Sequence, residues 1–230
     1  RAAHAAGLSP EVVYAEPGAM VLRYIEGGPL TPELIREPAT LARLVDLIRR
    51  CHDEVPRFLR GPALVFWVFH VIRDYAATLT DGRSPHASSL PRLLQAADRL
   101  AQDVGPIMLV YGHNDLLAGN LLDDGRRLWL IDWDYAGFNS PLFDLANLAT
   151  NNELPPALEA RLLEQYSGAP ANAATQRGFR AMQCASLLRE TLWGAVSRHT
   201  SSMDFDYGAY AAGYLQRFEA RWRQFEVEHG

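Results

Sequence analysis

Residues 112–120 read "GHNDLLAGN" and come directly after the apolar run "PIMLV". "LWLIDWDYAGF" follows soon after, with another aspartate at the end of another apolar run. Asp115 falls where an apolar run gives way to irregular chain. Asn120 opens the next strand, and Asp132 closes the hairpin to which that strand belongs. A hairpin folds its two ends together, so Asn120 and Asp132 should be neighbours. Both carry hard oxygen donors, of which magnesium takes a few alongside phosphate and water. Asp115, across the loop, could accept a hydrogen bond from an alcohol and aim its oxygen at a phosphate. One aspartate for the nucleophile, with an asparagine and a second aspartate for a metal, is the division of labour of phosphoryl transfer. Asp and Asn also serve turns, where they satisfy local backbone groups. A lone H-x-D triplet is commonly no more than that. His113, Asp115 and Asn120 followed by an apolar strand ending in Asp132 is a set that turns alone rarely produce.

These residues need elements to hold them. "AAHAAGL" reads as a helix end stopped by Gly7. "EVVYAE" and "AMVLRYIE" read as a hairpin around Pro17-Gly18, and "GGP" at 27–29 breaks the pattern. Thr31-Pro32 starts a helix, and the next helix carries Leu41, Leu44, Val45 and Ile48 at helical spacing. Residues 64–79 read as a buried helix, "DGRSPHASS" as a loop and "LPRLLQAADRLAQ" as an amphipathic helix. "IMLVY" is a strand or extended run, and "NLLDDGRRLWLID" a hairpin turning at Asp124-Gly125. Helical patterns then dominate, over roughly 141–150, 156–166, 173–198 and 207–228. The layout is a small β element, a hinge-like break, and a mostly helical body with one hairpin inside it.

Composition narrows the classes. The chain has 230 residues and a net charge of −5, with no basic cluster, which argues against a general nucleic-acid binder. No apolar run is long enough to span a bilayer; the longest, "GPALVFWVFHVI", is short and broken by His70. No signal peptide is visible, and a cytoplasmic setting is expected. Cys51 and Cys184 lie far apart in helical patterns and read as buried free thiols rather than a disulfide or a zinc site. His52 and His70 sit on helical patterns and read as core or surface rather than ligands. The pair Arg49-Arg50 reads as a solvated face, and "RFEARWRQFEVE" as an amphipathic terminal helix docked on the body.

"HNDLLAGN" followed by "LIDWDYAGFNSPLFDLAN" resembles the choline/ethanolamine kinase family, within the aminoglycoside-phosphotransferase-like branch of the protein-kinase-like fold. The resemblance covers essentially the whole chain. The H-x-D-x-x-x-x-N and I-D-W pieces belong to the wider branch. Asn114, the "DYAGFNSPLFDLAN" continuation and the tail "LWGAVSRHTSSMDFDYGAY" tilt it toward choline kinase-like members. The implied fold is α+β: a remnant of a small β lobe with the hinge over 1–28, and a mostly helical catalytic lobe with an embedded hairpin over 29–230. The implied activity is ATP- and Mg-dependent phosphorylation of the hydroxyl of choline or a related amino alcohol. An aminoglycoside or thiamine-type acceptor, or a catalytically dead kinase-like binding module, are the alternatives.

Carried over by position, Asp115 matches the catalytic aspartate, and Asn120 and Asp132 match the magnesium ligands. His113 is structural, and Asp144 braces the catalytic loop. The run "LRYIE", with Arg23, Tyr24 and Ile25, matches the hinge that meets adenine. Trp193, Tyr207 and Tyr210 match an aromatic cage for a quaternary ammonium, which cannot donate a hydrogen bond and is held by ring faces and carboxylates. Tyr135 follows the metal aspartate, and Asp134 and Asp204 could add negative charge. Aromatic side chains also pack helical cores, so core packing stands beside the cage as a reading. Two stretches depart from the family pattern: Glu190 stands where a second tryptophan is common, and "LATNNELPP" replaces an acidic and aromatic stretch. The cage is therefore incomplete or rebuilt. No lysine exists in the chain and no Gly-rich loop precedes the hinge. The expectation is an upstream segment of roughly 60–90 residues that carries both. The oligomeric state is left open.

Overall fold

A computed structural model describes residues 1–82 and 87–229. In chain order the first elements are α1 (Ala2–Ala5), β1 (Val12–Glu16), β2 (Ala19–Leu22), β3 (Gly28–Pro29), α2 (Pro32–Ile35), α3 (Pro38–Glu54), α4 (Val68–Asp81) and α5 (Leu90–Asp103). There follow β4 (Val110–Gly112), β5 (Leu121–Asp123), β6 (Leu128–Leu130), β7 (Gly137–Asn139), α6 (Pro141–Asn151), α7 (Pro156–Ser167), α8 (Ala173–Thr200) and α9 (Tyr207–His229). No helix among the described residues is long and apolar enough to cross a membrane. The chain forms two compact units, Arg1–Phe66 with Met108–Ala171, and Trp67–Ile107 with Asn172–Gly230.

In the first unit α3 supplies a buried stripe, Leu41, Leu44, Val45, Ile48 and Cys51, at the spacing of one helix face. Each such side chain contributes about 1.5–3 kcal/mol on burial. The strands are short antiparallel pairs: β1 with β2, β3 with β5, β5 with β6, and β4 with β7. The β5–β6 turn is made by Asp124, whose Oδ1 accepts from the backbone of Arg126 and Arg127, each at 2.8 Å, and by Gly125 at φ 80°. These bonds, that from the Trp129 indole and the Arg127 charge hold the Asp124 carboxyl down at about 2. Arg43 of α3 grips Asp123 with two nitrogens, at 2.6 and 3.0 Å, and so pins the hairpin to the helix.

In the second unit α4, α5, α8 and α9 pack through Phe69, Ile72, Leu93, Leu100, Met182, Leu188, Phe218 and Phe225, all buried. The terminal helix α9 is docked along α8, as its amphipathic sequence implies. Cys51 and Cys184 are buried free thiols, and burial raises both, Cys184 to about 12.

Several elements differ from the sequence reading. The "GGP" break is itself a strand, since Gly28 and Pro29 pair with Asp123 and Leu122. Gly27 must be glycine: a Cβ there would lie 2.3 Å from the Asp123 carbonyl oxygen. Residues 64–67 are not helical. Leu64 and Phe66 exchange backbone bonds with Phe138 at 2.8 and 2.9 Å, and α4 starts only at Val68. A short apolar run rich in β-branched and aromatic residues suits either element, and pairing with β7 decides it. Helix α4 buries one face rather than its whole surface. The extended run at 107–111 is a strand only from Val110, and β2 stops at Leu22. Arg49 and Arg50 are not a free solvated face. The Arg49 guanidinium caps the C-terminal carbonyls of α7 at Gln165 and Tyr166, and Arg50 reaches the Ala6 carbonyl at 2.8 Å. Of the loop expected over 81–89, residues 83–86 lie outside the described residues. Asp81 ends α4, and 87–89 form a 3₁₀ turn.

Candidate active site

The loop at 113–120 is held by side chains of α6. Ser140 caps that helix, its Oγ accepting from Leu142 N at 3.3 Å, and Pro141 fills the first position, where a missing N–H matters least. Asp144 and Asn147, three apart, then share one helix face. Asp144 Oδ2 accepts from His113 N at 2.9 Å and Oδ1 from Asn114 N at 2.7 Å. Asn147 Oδ1 accepts from Leu116 N at 2.6 Å. The loop's buried amide donors therefore end on one helix rather than on a strand ladder.

Asp144 is buried with a further partner. His52 Nε2 lies 2.9 Å from Asp144 Oδ2, and His52 Nδ1 lies 2.7 Å from the Tyr166 hydroxyl. Burial pushes the Asp144 carboxyl up. The hydrogen bond and charge of His52, with the charge and backbone N–H of His113, outweigh it and hold the group below its ordinary value. Burial raises the Tyr166 hydroxyl, with Asp53 and Asp144 adding to it. His52 therefore ties Asp144 to the Tyr166 hydroxyl through its two ring nitrogens.

Asn114 takes φ 64°, a left-handed backbone that Asn tolerates better than most residues. Its Nδ2 reaches the carbonyls of Gly112, Tyr135 and Gly137 at 3.3, 3.0 and 3.1 Å, and its Oδ1 accepts from Asn139 at 3.1 Å. Gly112 leaves room for this knot: a Cβ there would lie 2.9 Å from Asn114 Oδ1 and 3.1 Å from Asp144 Oδ2. His113 Nε2 lies 2.9 Å from the Ile131 carbonyl, so it donates there, and its ring meets Trp133 edge-on at 4.9 Å.

Asp115 is only 7% exposed. Asn120 Nδ2 donates to the Asp115 carbonyl at 3.0 Å and to Asp115 Oδ2 at 3.2 Å. Asn120 closes a 3₁₀ turn, and the strand begins one residue later. Its carbonyl accepts from Ile131 N at 3.1 Å, so Asp132 is the residue next to that bond. Asp132 is exposed and stands at φ 61°, a strained backbone of the kind found at ligand clamps.

A hard cation fits this donor set. The amide nitrogen of Asn120 is committed to Asp115, which leaves Oδ1 to accept, and the Asp132 carboxylate carries no hydrogen bond or ion pair among the described residues. Two oxygens leave the remaining positions to water and phosphate. No cluster of three His, Cys, Asp or Glu suited to a metal occurs among the described residues.

The other site residues fall as follows. Arg23, Tyr24 and Ile25 continue extended past β2. Tyr24 is 82% exposed, and Arg23 pairs with Glu11 at 2.7 Å, its backbone N–H already given to the Glu11 carbonyl. Asp134 is exposed, and Tyr135 meets Phe66 edge-on at 6.0 Å. These residues belong to the first unit. In the second unit Trp193, Tyr207 and Tyr210 converge, with ring centroids 5.7 Å apart for Trp193–Tyr207 and 5.4 Å for Trp193–Tyr210. Phe205 meets Tyr207 at 4.9 Å, and Tyr214 meets Tyr210 at 4.6 Å. Asp204 is exposed nearby in sequence.

A choline/ethanolamine kinase family profile matches residues 3–157. The chain belongs to the choline/ethanolamine kinase family. Among its relatives, Protein LicA of Haemophilus influenzae is 28% identical over 97% of the chain and 66% of that protein. Ethanolamine kinase 2 of Rattus norvegicus is 28% identical over 89% of the chain and 59% of that protein. The chain thus spans less than two thirds of these two relatives. A choline/ethanolamine kinase family protein from Mesorhizobium loti superposes with a TM-score of 0.82 at 29% identity, covering 96% of this chain and 76% of that one. A thermostable mutant of aminoglycoside phosphotransferase APH(4)-Ia shares the fold, with a TM-score of 0.70 over 96% of this chain and 78% of that one, at 21% identity. The protein-kinase-like α+β reading of the fold therefore holds.

Sequence reasoning missed several members of the loop's brace and of the ring cluster. Asn147, Asn139, His52 and Tyr166 were not singled out as braces, although "FDLAN" carries Asp144 and Asn147 at one-face spacing. Phe205 and Tyr214 join the ring cluster unannounced. Glu190 stood only as a departure from the family pattern. It is a buried member of the cluster, its Oε2 accepting from the Tyr210 hydroxyl at 2.8 Å.

Proposed function

We propose that this protein is an ATP- and Mg-dependent kinase that phosphorylates the hydroxyl of choline or a related amino alcohol. The observation that carries the reading is the contact of Asn120 with Asp115, one backbone bond away from the residue before Asp132. In this reading Asp115 accepts a hydrogen bond from the substrate hydroxyl and directs its oxygen at the γ-phosphate. Burial, with the Asn120 amide on one carboxylate oxygen, holds Asp115 in one orientation before substrate arrives. Asn120 Oδ1 and the Asp132 carboxylate would hold magnesium, whose chemistry is to neutralise charge on the β- and γ-phosphates. Residues 1–28 serve as part of the nucleotide-binding lobe, with the backbone of 23–25 as the adenine hinge, and residues 29–230 as the catalytic lobe. The ring cluster of Trp193, Tyr207 and Tyr210, with Asp204, is the element that recognises the ammonium group. Asp134 and Tyr135 are substrate-binding residues of the first unit. His113 and Asp144 position the loop. Dependence on ATP fits work in the cytoplasm.

The test is a phosphorylation screen of the full-length protein with ATP and magnesium over choline, ethanolamine, thiamine and aminoglycosides. Transfer to choline or ethanolamine is expected. Transfer to an aminoglycoside or thiamine alone, or to none of the panel, overturns the reading.

A further inference from the structure

The second unit holds a carboxylate where rings would be expected to suffice. Glu190 is 2% exposed, on α8 one turn before Trp193. One oxygen accepts from the Arg189 guanidinium and the other from the Tyr210 hydroxyl. Tyr210 packs edge-on against Trp193 and Phe205 and tilted against Tyr214. Burial raises the Tyr210 hydroxyl, and the Glu190 charge pushes it further in the same direction, as it does for Tyr214.

Glutamate is seldom fully buried, because removing a carboxylate from water is unfavourable unless hydrogen bonds replace the solvent. A carboxylate offers about four acceptor positions. Arg189 and Tyr210 use one each, which leaves acceptor capacity on the wall of a ring cluster. Rings and carboxylates hold cations differently. A ring face attracts any ammonium by its quadrupole and accepts an N-methyl as readily as an N–H. A buried carboxylate gains a charge-assisted hydrogen bond only from an N–H; an N-methyl at the same point leaves it desolvated and unbonded.

We propose that Glu190 makes the ring cluster a site for ammonium groups bearing at least one N–H, so that the protein prefers primary, secondary or tertiary amino alcohols over a quaternary one. The inference rests on the amino-alcohol kinase reading above and adds to it the substrate class and the residue that sets it. Glu190 is here a specificity-determining residue, and Arg189 and Tyr210 position its carboxylate.

The test is a ladder of acceptors differing only in N-methyl count: ethanolamine, N-methylethanolamine, N,N-dimethylethanolamine and choline. Each is assayed for kcat and KM with the full-length protein, ATP and magnesium. The step is expected between the last two, where the final N–H is lost: choline should have a kcat/KM lower by about tenfold or more, carried mainly by KM. Glu190→Gln keeps the shape and removes the charge, and should shrink that step to about threefold or less. Glu190→Trp, which adds a ring, should bring choline level with the others or ahead. Because the tryptophan is bulky, the glutamine variant alone decides if the other fails to fold. A wild-type ladder that is flat or favours choline, or a step that Glu190→Gln leaves unchanged, overturns the inference while amino-alcohol kinase activity stands. Absence of transfer to every member of the ladder overturns the underlying reading, and the inference with it.

Discussion

The loop at 113–120 and the ring cluster at 193–214 are built in opposite ways. In the loop, backbone amides end on buried side chains of α6, and Asp144 alone terminates two of them while also meeting His52. These braces are polar, directional and buried, so small displacements leave a buried group unbonded. The cluster is mostly edge-to-face ring contacts, each worth about 0.5–1.5 kcal/mol and tolerant of sliding. Its polar anchors are few: the Glu190 carboxylate with the Tyr210 hydroxyl, and the Tyr207 hydroxyl with Ser201. The difference follows from the tasks proposed for the two regions. Phosphoryl transfer demands one geometry whatever the acceptor. Recognition of an ammonium can be changed one ring or one carboxylate at a time.

The largest effect expected separates chemistry from architecture inside the loop. Asp115→Ala removes the proposed contact with the substrate hydroxyl but leaves the N–H bonds of His113, Asn114 and Leu116 in place. Turnover should fall by about 10³-fold. Nucleotide affinity and melting temperature should stay close to wild type. Full activity in this variant would remove Asp115 from the reaction. A large loss of stability would mean that the loop is not braced from α6 as described.

Asp144→Ala should do the reverse. It strips the acceptor from His113 N, Asn114 N and His52 together, and should destabilise the fold by about 3–5 kcal/mol, read by urea denaturation. Activity should fall with it, because the loop loses its clamp. The pH dependence has a definite sign. The Asp144 carboxyl is held below its ordinary value, so its contribution is fully present above the unfolded-state pKa, near 4. It is lost as pH falls through the lower folded-state value. Denaturation at a series of pH values should show wild-type stability dropping below about pH 4, and a flatter profile in Asp144→Asn. Equal acid sensitivity in the two proteins would contradict the shift.

The loop was largely legible because its chemistry is local in sequence. Asp115, Asn120 and Asp132 lie within one loop and one hairpin, and turn rules alone bring the last two together. Their supports were less legible. His52 reaches Asp144 across 92 residues of sequence, and a histidine on an apolar helix face gives no sign of its partner. The strand at Gly28–Pro29 was hidden because its pairing with β5 is set by tertiary contact rather than by β propensity. Residues 64–67 misled for the same reason. In the ring cluster, Trp193, Tyr207 and Tyr210 were found through family resemblance, since aromatic residues at helical spacing look the same in a core and in a binding site. Glu190 could be seen only as an oddity until its burial and its bond to Tyr210 were known.

The smallest effect expected is the most useful for the comparison. Tyr210→Phe deletes one hydroxyl and keeps the ring, so the contacts with Trp193 at 5.4 Å, Phe205 at 5.8 Å and Tyr214 at 4.6 Å survive. Glu190 loses one donor but keeps Arg189. The stability change should be about 1 kcal/mol, well below that of Asp144→Ala, because the carboxylate remains partly bonded and its neighbours can shift. The kinetic signature should be a KM for the amino alcohol raised by about threefold with kcat unchanged, since the hydroxyl orients a recognition group and touches no reacting atom. If Tyr210→Phe instead destabilises as strongly as Asp144→Ala while KM stays fixed, the cluster is a rigid core like the loop's brace. The contrast between a fixed reaction loop and an adjustable recognition wall would then not hold.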